Sequence, residues 1–143
     1  MKLSEHFSLS EFEYSATAIR NGIDNSVPDR FIPSLKNLCE QVLEPLRQHV
    51  RQPMVISSGY RCPELNKLVG GSPTSQHLTG EAADIYIPDP KKLLRWYNYL
   101  KQSDISYDQL LLERKGNILW LHVSCKPNPS KNRHQVLRIT KRV

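Results

Sequence analysis

The chain has 143 residues, 38% of them hydrophobic and 24% charged, with a formal net charge of +6 and a pI near 9.3. That length supports one domain, residues 1–143, with a real core; no apolar run is long enough to cross a bilayer. The positive balance favours anionic partners such as cell-wall polymers, whereas no helix-turn-helix pattern or aromatic-rich basic motif points to nucleic acid.

The N-terminus, MKLSEHFSLSEF, brings in Ser, Glu and His early and lacks the apolar centre of a secretory signal. The expectation is a monomer that is cytoplasmic as synthesised. The three cysteines, Cys39, Cys62 and Cys125, fit no zinc-ribbon spacing, so they read as reduced thiols, with Cys39 in the core.

Ser8 and Glu11 form a capping-box pattern that starts a short helix. From Asp29 to Val50 the apolar positions step by three and four, which predicts an amphipathic helix with a kink or break near Pro45. Met54–Ser57 reads as a strand stopped by Gly59, and Pro63–Val69 as a short helix stopped by Gly70-Gly71. Ala82–Ile87 is a second strand, with Asp84 on the face opposite Ala83 and Ile85. Asp89 caps a helix that begins at Pro90 and carries Leu93, Trp96, Tyr97 and Leu100 as core.

Tyr107–Glu113 and Ile118–Cys125 form a hairpin around Arg-Lys-Gly-Asn. With Lys115-Gly116 as the tip, Gln109 faces His122, Leu111 faces Trp120 and Glu113 faces Ile118. Glu113 and His122 then share a face but stand about 13 Å apart along the ladder. A final strand spans Gln135–Thr140 before a basic tail. The order defines an α+β fold: N-terminal helices, a small mostly antiparallel sheet and one inserted helix.

The chemistry concentrates between Met54 and Ile87, where Arg61, several glycines, Ser75, His77 and Asp84 fall between two strands. Neutral imidazole and carboxylate both suit zinc, and His122, in mid-strand beside Trp120, supplies a third candidate ligand. Taken alone, these three residues leave two readings open: a zinc site, or a hydrogen-bonded core His122 with a surface His77. His6, His49 and His134 read as surface residues.

The segments SGYRCPELNKLVGGSPTSQHLTGEAADI, YDQLLLE, WLHVSC and NRHQVL resemble the D-alanyl-D-alanine carboxypeptidase-like zinc peptidases. This family shares its fold with the hedgehog signalling domain and the vancomycin-resistance D,D-dipeptidases. The resemblance runs from about His6 to Leu137 and includes the S-x-H-x-x-G-x-A-x-D block and the W-x-H strand. It implies one Zn2+ held by His77, Asp84 and His122, with Ser75 and Arg61 on the substrate and Arg61 stabilising the oxyanion. Gly80, Ala82 and Ala83 would let the ligand strand pack closely under the metal.

The dipeptidase branch carries its basic glutamate three residues before the last histidine, where this chain has Leu119; another branch pattern places it at Glu113. Asp108 is the next candidate, though a strand-start role suits it better, and Glu81 reads as surface. The implied activity is hydrolysis of an amide bond in peptidoglycan stem peptides, such as D-Ala-D-Ala. The missing signal suits a phage-type lysis protein released to the wall by a holin, or else a cell protein with another role. The alternative is a non-catalytic zinc-binding module that recognises wall or protein ligands.

Overall fold

The computed structural model describes residues 1–143. Helices α1 (Leu9–Glu13) and α2 (Ala16–Arg20) lead to a helical run made of α3 (Ile32–Leu38), a π-turn (Cys39–Leu43) and α4 (Glu44–Val50). Strand β1 (Val55–Ser58), α5 (Pro63–Leu68), a 3-10 turn (Gln76–Thr79) and β2 (Ala82–Tyr86) follow. Then come α6 (Pro90–Gln102), β3 (Gln109–Lys115), β4 (Ile118–Ser124) and β5 (Gln135–Lys141). The five strands form one sheet in the order β1-β2-β4-β3-β5; only the β3–β5 pair is parallel. The α+β expectation holds. No helix is long and apolar enough to cross a membrane.

Local chemistry explains most boundaries. The Ser8 N–H donates to Glu11 Oε2 at 2.7 Å, one half of the capping box that starts α1. Asp89 accepts from the Lys91 N–H and Pro90 occupies the first turn of α6. Pro45 does not break the third helical run. It has no N–H to offer, and the π-turn just before it, closed by Glu44 N–H to Cys39 C=O, absorbs the misfit.

Sheet alternation divides the molecule into two sides. Ala83, Ile85, Leu110, Leu112, Leu121 and Val123 join one buried cluster with Leu35, Leu38, Val42, Leu46, Leu93, Trp96 and Leu100 from the helices. Cys39 lies fully buried in the same cluster, and burial pushes its thiol up to about 12. All three cysteines are free. Asp84, Glu113 and His122 lie on the opposite parity of their strands, so the helices cover one sheet face and leave the other for chemistry.

The hairpin register differs from the sequence expectation. Leu111 faces His122, Glu113 faces Trp120 and Lys115 faces Ile118. Gly116 takes φ +63°, which closes the turn through Gly116 and Asn117 alone and keeps Arg114 and Lys115 in the ladder. The slip is two residues, so every side chain keeps its face while its neighbours change.

Candidate metal centre

His77, Asp84 and His122 come from three places: the 3-10 turn before β2, the middle of β2, and β4. Asp84 pairs directly with His122 across the β2–β4 ladder, and Ser75 Oγ caps the 3-10 turn by accepting the His77 N–H at 3.2 Å. One ligand atom from each residue lies within 4.8 Å of the others, and all three are buried. His122 Nδ1 is 2.9 Å from Asp84 Oδ1, and His77 Nε2 is 3.3 Å from the same oxygen.

The orientation of His77 fits a metal. Its Nδ1 meets the Gly59 carbonyl at 2.7 Å, a contact only a protonated nitrogen makes. The neutral ring therefore presents a bare lone pair at Nε2, which is buried and has no hydrogen-bond partner. That lone pair lies 3.3 Å from a carboxylate oxygen without a hydrogen bond between them, and a shared cation removes the conflict. A second proton would also bridge them, but burial pushes the His77 pKa down, against the attraction of Asp84. Burial acts to raise the Asp84 carboxyl, yet His77 and His122 outweigh it and hold it well below the usual carboxylate range. A histidine locked by a backbone carbonyl on its far nitrogen is the usual support for a metal ligand, and two imidazoles with one carboxylate suit zinc.

The loop that supplies Gly59 and Arg61 is braced from the N-terminus. The Tyr60 N–H donates to the Phe12 carbonyl at 2.9 Å, and a Cβ on Gly59 would stand 2.6 Å from Phe12 Cα. Asn25, buried, donates to the Glu13 and Tyr60 carbonyls and accepts from the Cys62 N–H at 2.8 Å. Arg61 reaches Ser58 Oγ at 3.1 Å, Asn66 Oδ1 at 3.1 Å and Asp84 Oδ2 at 3.5 Å. Gly80 has φ +71° and packs on Phe31 and Leu35, so its service is to the turn against the helix. Ala82 and Ala83 are fully buried.

Glu113 lies closer to the cluster than its sequence position suggested. Its Oε1 is 3.7 Å from His122 Nδ1, and its Oε2 is 3.1 Å from Lys141 Nζ on β5. Glu113, Arg61, Ser75, His77 and His122 all line one groove of about 530 Å³. Leu119, partly buried, packs against the hydrophobic core. Glu81 is half-buried and accepts a hydrogen bond from Thr79.

Asp108, just before β3, has the structural role expected of it, and a larger one than a strand start requires. It is fully buried and accepts from the Arg133 N–H at 2.9 Å, Arg133 Nε at 2.9 Å, Arg133 Nη2 at 2.8 Å and Gln76 Nε2 at 2.9 Å. Burial acts to raise its pKa, but these donors hold it down at about 2. Sequence reasoning missed this hub, and with it Gln76, Lys126, Arg133 and Lys141 as groove residues. The adjacency of Gln76 to His77 was the one local hint. His6, His49 and His134 are exposed, as expected; His6 pairs with Glu44, His49 stacks on Tyr99 and His134 on Tyr107.

Two histidines and a carboxylate, one from the 3-10 turn and two from adjacent strands, meet beside a polar groove and define a candidate single-metal centre of hydrolytic type. A family sequence profile described as Peptidase M15 matches residues 5–123. The chain belongs to this family of zinc metallopeptidases. No curated protein sequence matches it.

Proposed function

We propose that the protein is a zinc-dependent peptidase that hydrolyses an amide bond in peptidoglycan stem peptides, with D-Ala-D-Ala as one candidate bond. His77, Asp84 and His122 would hold the ion. Bound zinc supplies Lewis acidity and a water acidified toward neutral pH. Glu113 takes a proton from the attacking water and delivers it to the leaving amine as the C–N bond breaks. Arg61, fixed by Ser58 and Asn66, stabilises the negative oxygen of the tetrahedral intermediate. Ser75 lines the groove where the peptide lies.

The observation that carries catalysis, beyond metal binding, is the 3.7 Å approach of Glu113 to His122. It places a carboxylate beside the cluster despite Leu119 at the other base position. The test is incubation of zinc-loaded protein with defined muropeptides, read by mass spectrometry. Release of one amide fragment, abolished by a chelator, is the expected result. Intact muropeptides across the set, with normal zinc content, would instead favour a binding module.

A further inference from the structure

The family match ends at residue 123, yet four groove residues lie beyond it: Lys126, Arg133, Ile139 and Lys141. Three are cations. Lys141 is occupied by Glu113, and Arg61, also in the groove, is occupied by Ser58, Asn66 and Asp84. Lys126 and Arg133 are different, because both rest on the single carboxylate of Asp108. Two positive charges against one negative leave one uncompensated at the groove wall.

We propose that Lys126 and Arg133, set on the buried Asp108, form a second subsite that binds a carboxylate of the substrate peptide. The inference rests on the peptidase reading above. Asp108 grips Arg133 through its backbone N–H, Nε and Nη2. This leaves Nη1 without an acceptor in the chain and holds the guanidinium plane fixed. Lys126 Nζ, 3.8 Å from Asp108 Oδ1, makes no hydrogen bond within the chain either. A fixed guanidinium beside a freer ammonium is suited to a planar carboxylate. Gln76 joins this wall to the metal centre, since its amide donates to Asp108 while the next residue is His77. Asp108 is a positioning residue here and touches no substrate.

In a stem peptide the carboxylate has two sources, the C-terminus and the α-carboxylate of D-glutamate. Three forms of L-Ala-γ-D-Glu-L-Lys-D-Ala-D-Ala separate them: unmodified, amidated at D-glutamate, and amidated at the C-terminus. Equilibrium binding by calorimetry uses zinc-loaded protein carrying Glu113→Gln, and KM is measured on the otherwise unchanged enzyme. One amidation is expected to raise Kd about tenfold, the scale of a lost charge-assisted hydrogen bond at a part-exposed site. Lys126→Gln should weaken the acid form by a similar factor and leave that amidated form unchanged, raising KM more than it lowers kcat. This variant keeps every hydrogen bond to Asp108, so its fold is preserved. Arg133→Lys, which keeps the charge, should fall between. Equal Kd values for all three peptides, or the same discrimination in Lys126→Gln as without it, would overturn the subsite. If no peptide is cut by the unchanged enzyme, the peptidase reading falls while the Kd comparison still decides the subsite.

Discussion

Glu113 and His122 are diagonal neighbours on adjacent antiparallel strands. Leu111 stands directly across from His122, and Glu113, two residues on along the same face, closes to 3.7 Å. Lys141 holds the other carboxylate oxygen at 3.1 Å. The carboxylate is thereby clamped between the metal cluster and the edge strand. Glu113→Gln should keep the shape and remove the proposed base. Zinc content should stay at one ion per chain while kcat falls about 10²–10⁴-fold. A variant that loses zinc as well would show that Glu113 serves the metal and not the proton.

Removing the ion tests the cluster itself. A ligand that binds only the folded chain stabilises it by mass action, about 4 kcal/mol at a thousandfold excess over Kd. Chelation is therefore expected to lower the thermal midpoint of the native protein. His77→Ala should show a midpoint insensitive to chelator and no zinc by elemental analysis. Retention of stoichiometric zinc in that variant would exclude His77 as a ligand.

Gly59 acts on His77 without touching the metal. An added Cβ would meet Phe12 at 2.6–2.8 Å, so Gly59→Ala must push the loop away from α1. The expected cost is about 1–3 kcal/mol in urea unfolding. The Gly59 carbonyl would move from His77 Nδ1, so zinc affinity should drop about 10–100-fold as well. Lost stability with unchanged zinc affinity would mean that the carbonyl contact has no part in holding the ring.

Asp108 makes an acid-range prediction. Burial acts to raise its pKa, but Arg133 and Gln76 hold it at about 2 in the folded chain, below the ordinary 3.8. A depressed carboxylate contributes stability that is complete above the unfolded pKa and is lost as pH falls through the folded one. The window is therefore about pH 4 down to 2, and the shift corresponds to roughly 2 kcal/mol. Asp108→Asn should flatten that part of the stability curve relative to the native protein. It should also destabilise at neutral pH by about 2 kcal/mol, because Arg133 and Gln76 lose a charged hydrogen-bond acceptor. Parallel stability curves for the two proteins between pH 2 and 4 would contradict the assignment.

Local pattern carried the fold class and the faces of the strands. The parity of Asp84, Glu113 and His122 was readable because apolar residues alternate with them on strands covered on one side. Register was not readable, because it depends on whether Gly116 can close the turn in two residues, and a slip of two leaves the alternation unchanged. That slip alone turned a separation of about 13 Å into a contact. The parallel pairing of β5 and the Asp108 hub were also hidden. Gln76 and Asp108 are 32 residues apart and Asp108 and Arg133 are 25 apart, so only the closed sheet brings them together. Likewise, nothing local marks Asn25 as the brace of a loop 35 residues away.

The Asn25 brace has a consequence for the order of assembly. Its contacts at separations of 35 and 37 residues close loops whose entropy cost must be met before they stabilise anything. They are as non-local as the β2–β4 pairing that joins Asp84 to His122 across 38 residues, so both must close before the cluster is aligned. Until Asn25 and Phe12 have docked, the Gly59 carbonyl is not in place and the His77 ring is free to turn. A collapsed but undocked chain thus holds the ligand residues without their alignment. Under the proposed function, capture of the ion would then report that the N-terminal brace is in place, since the ring it needs is aligned from there.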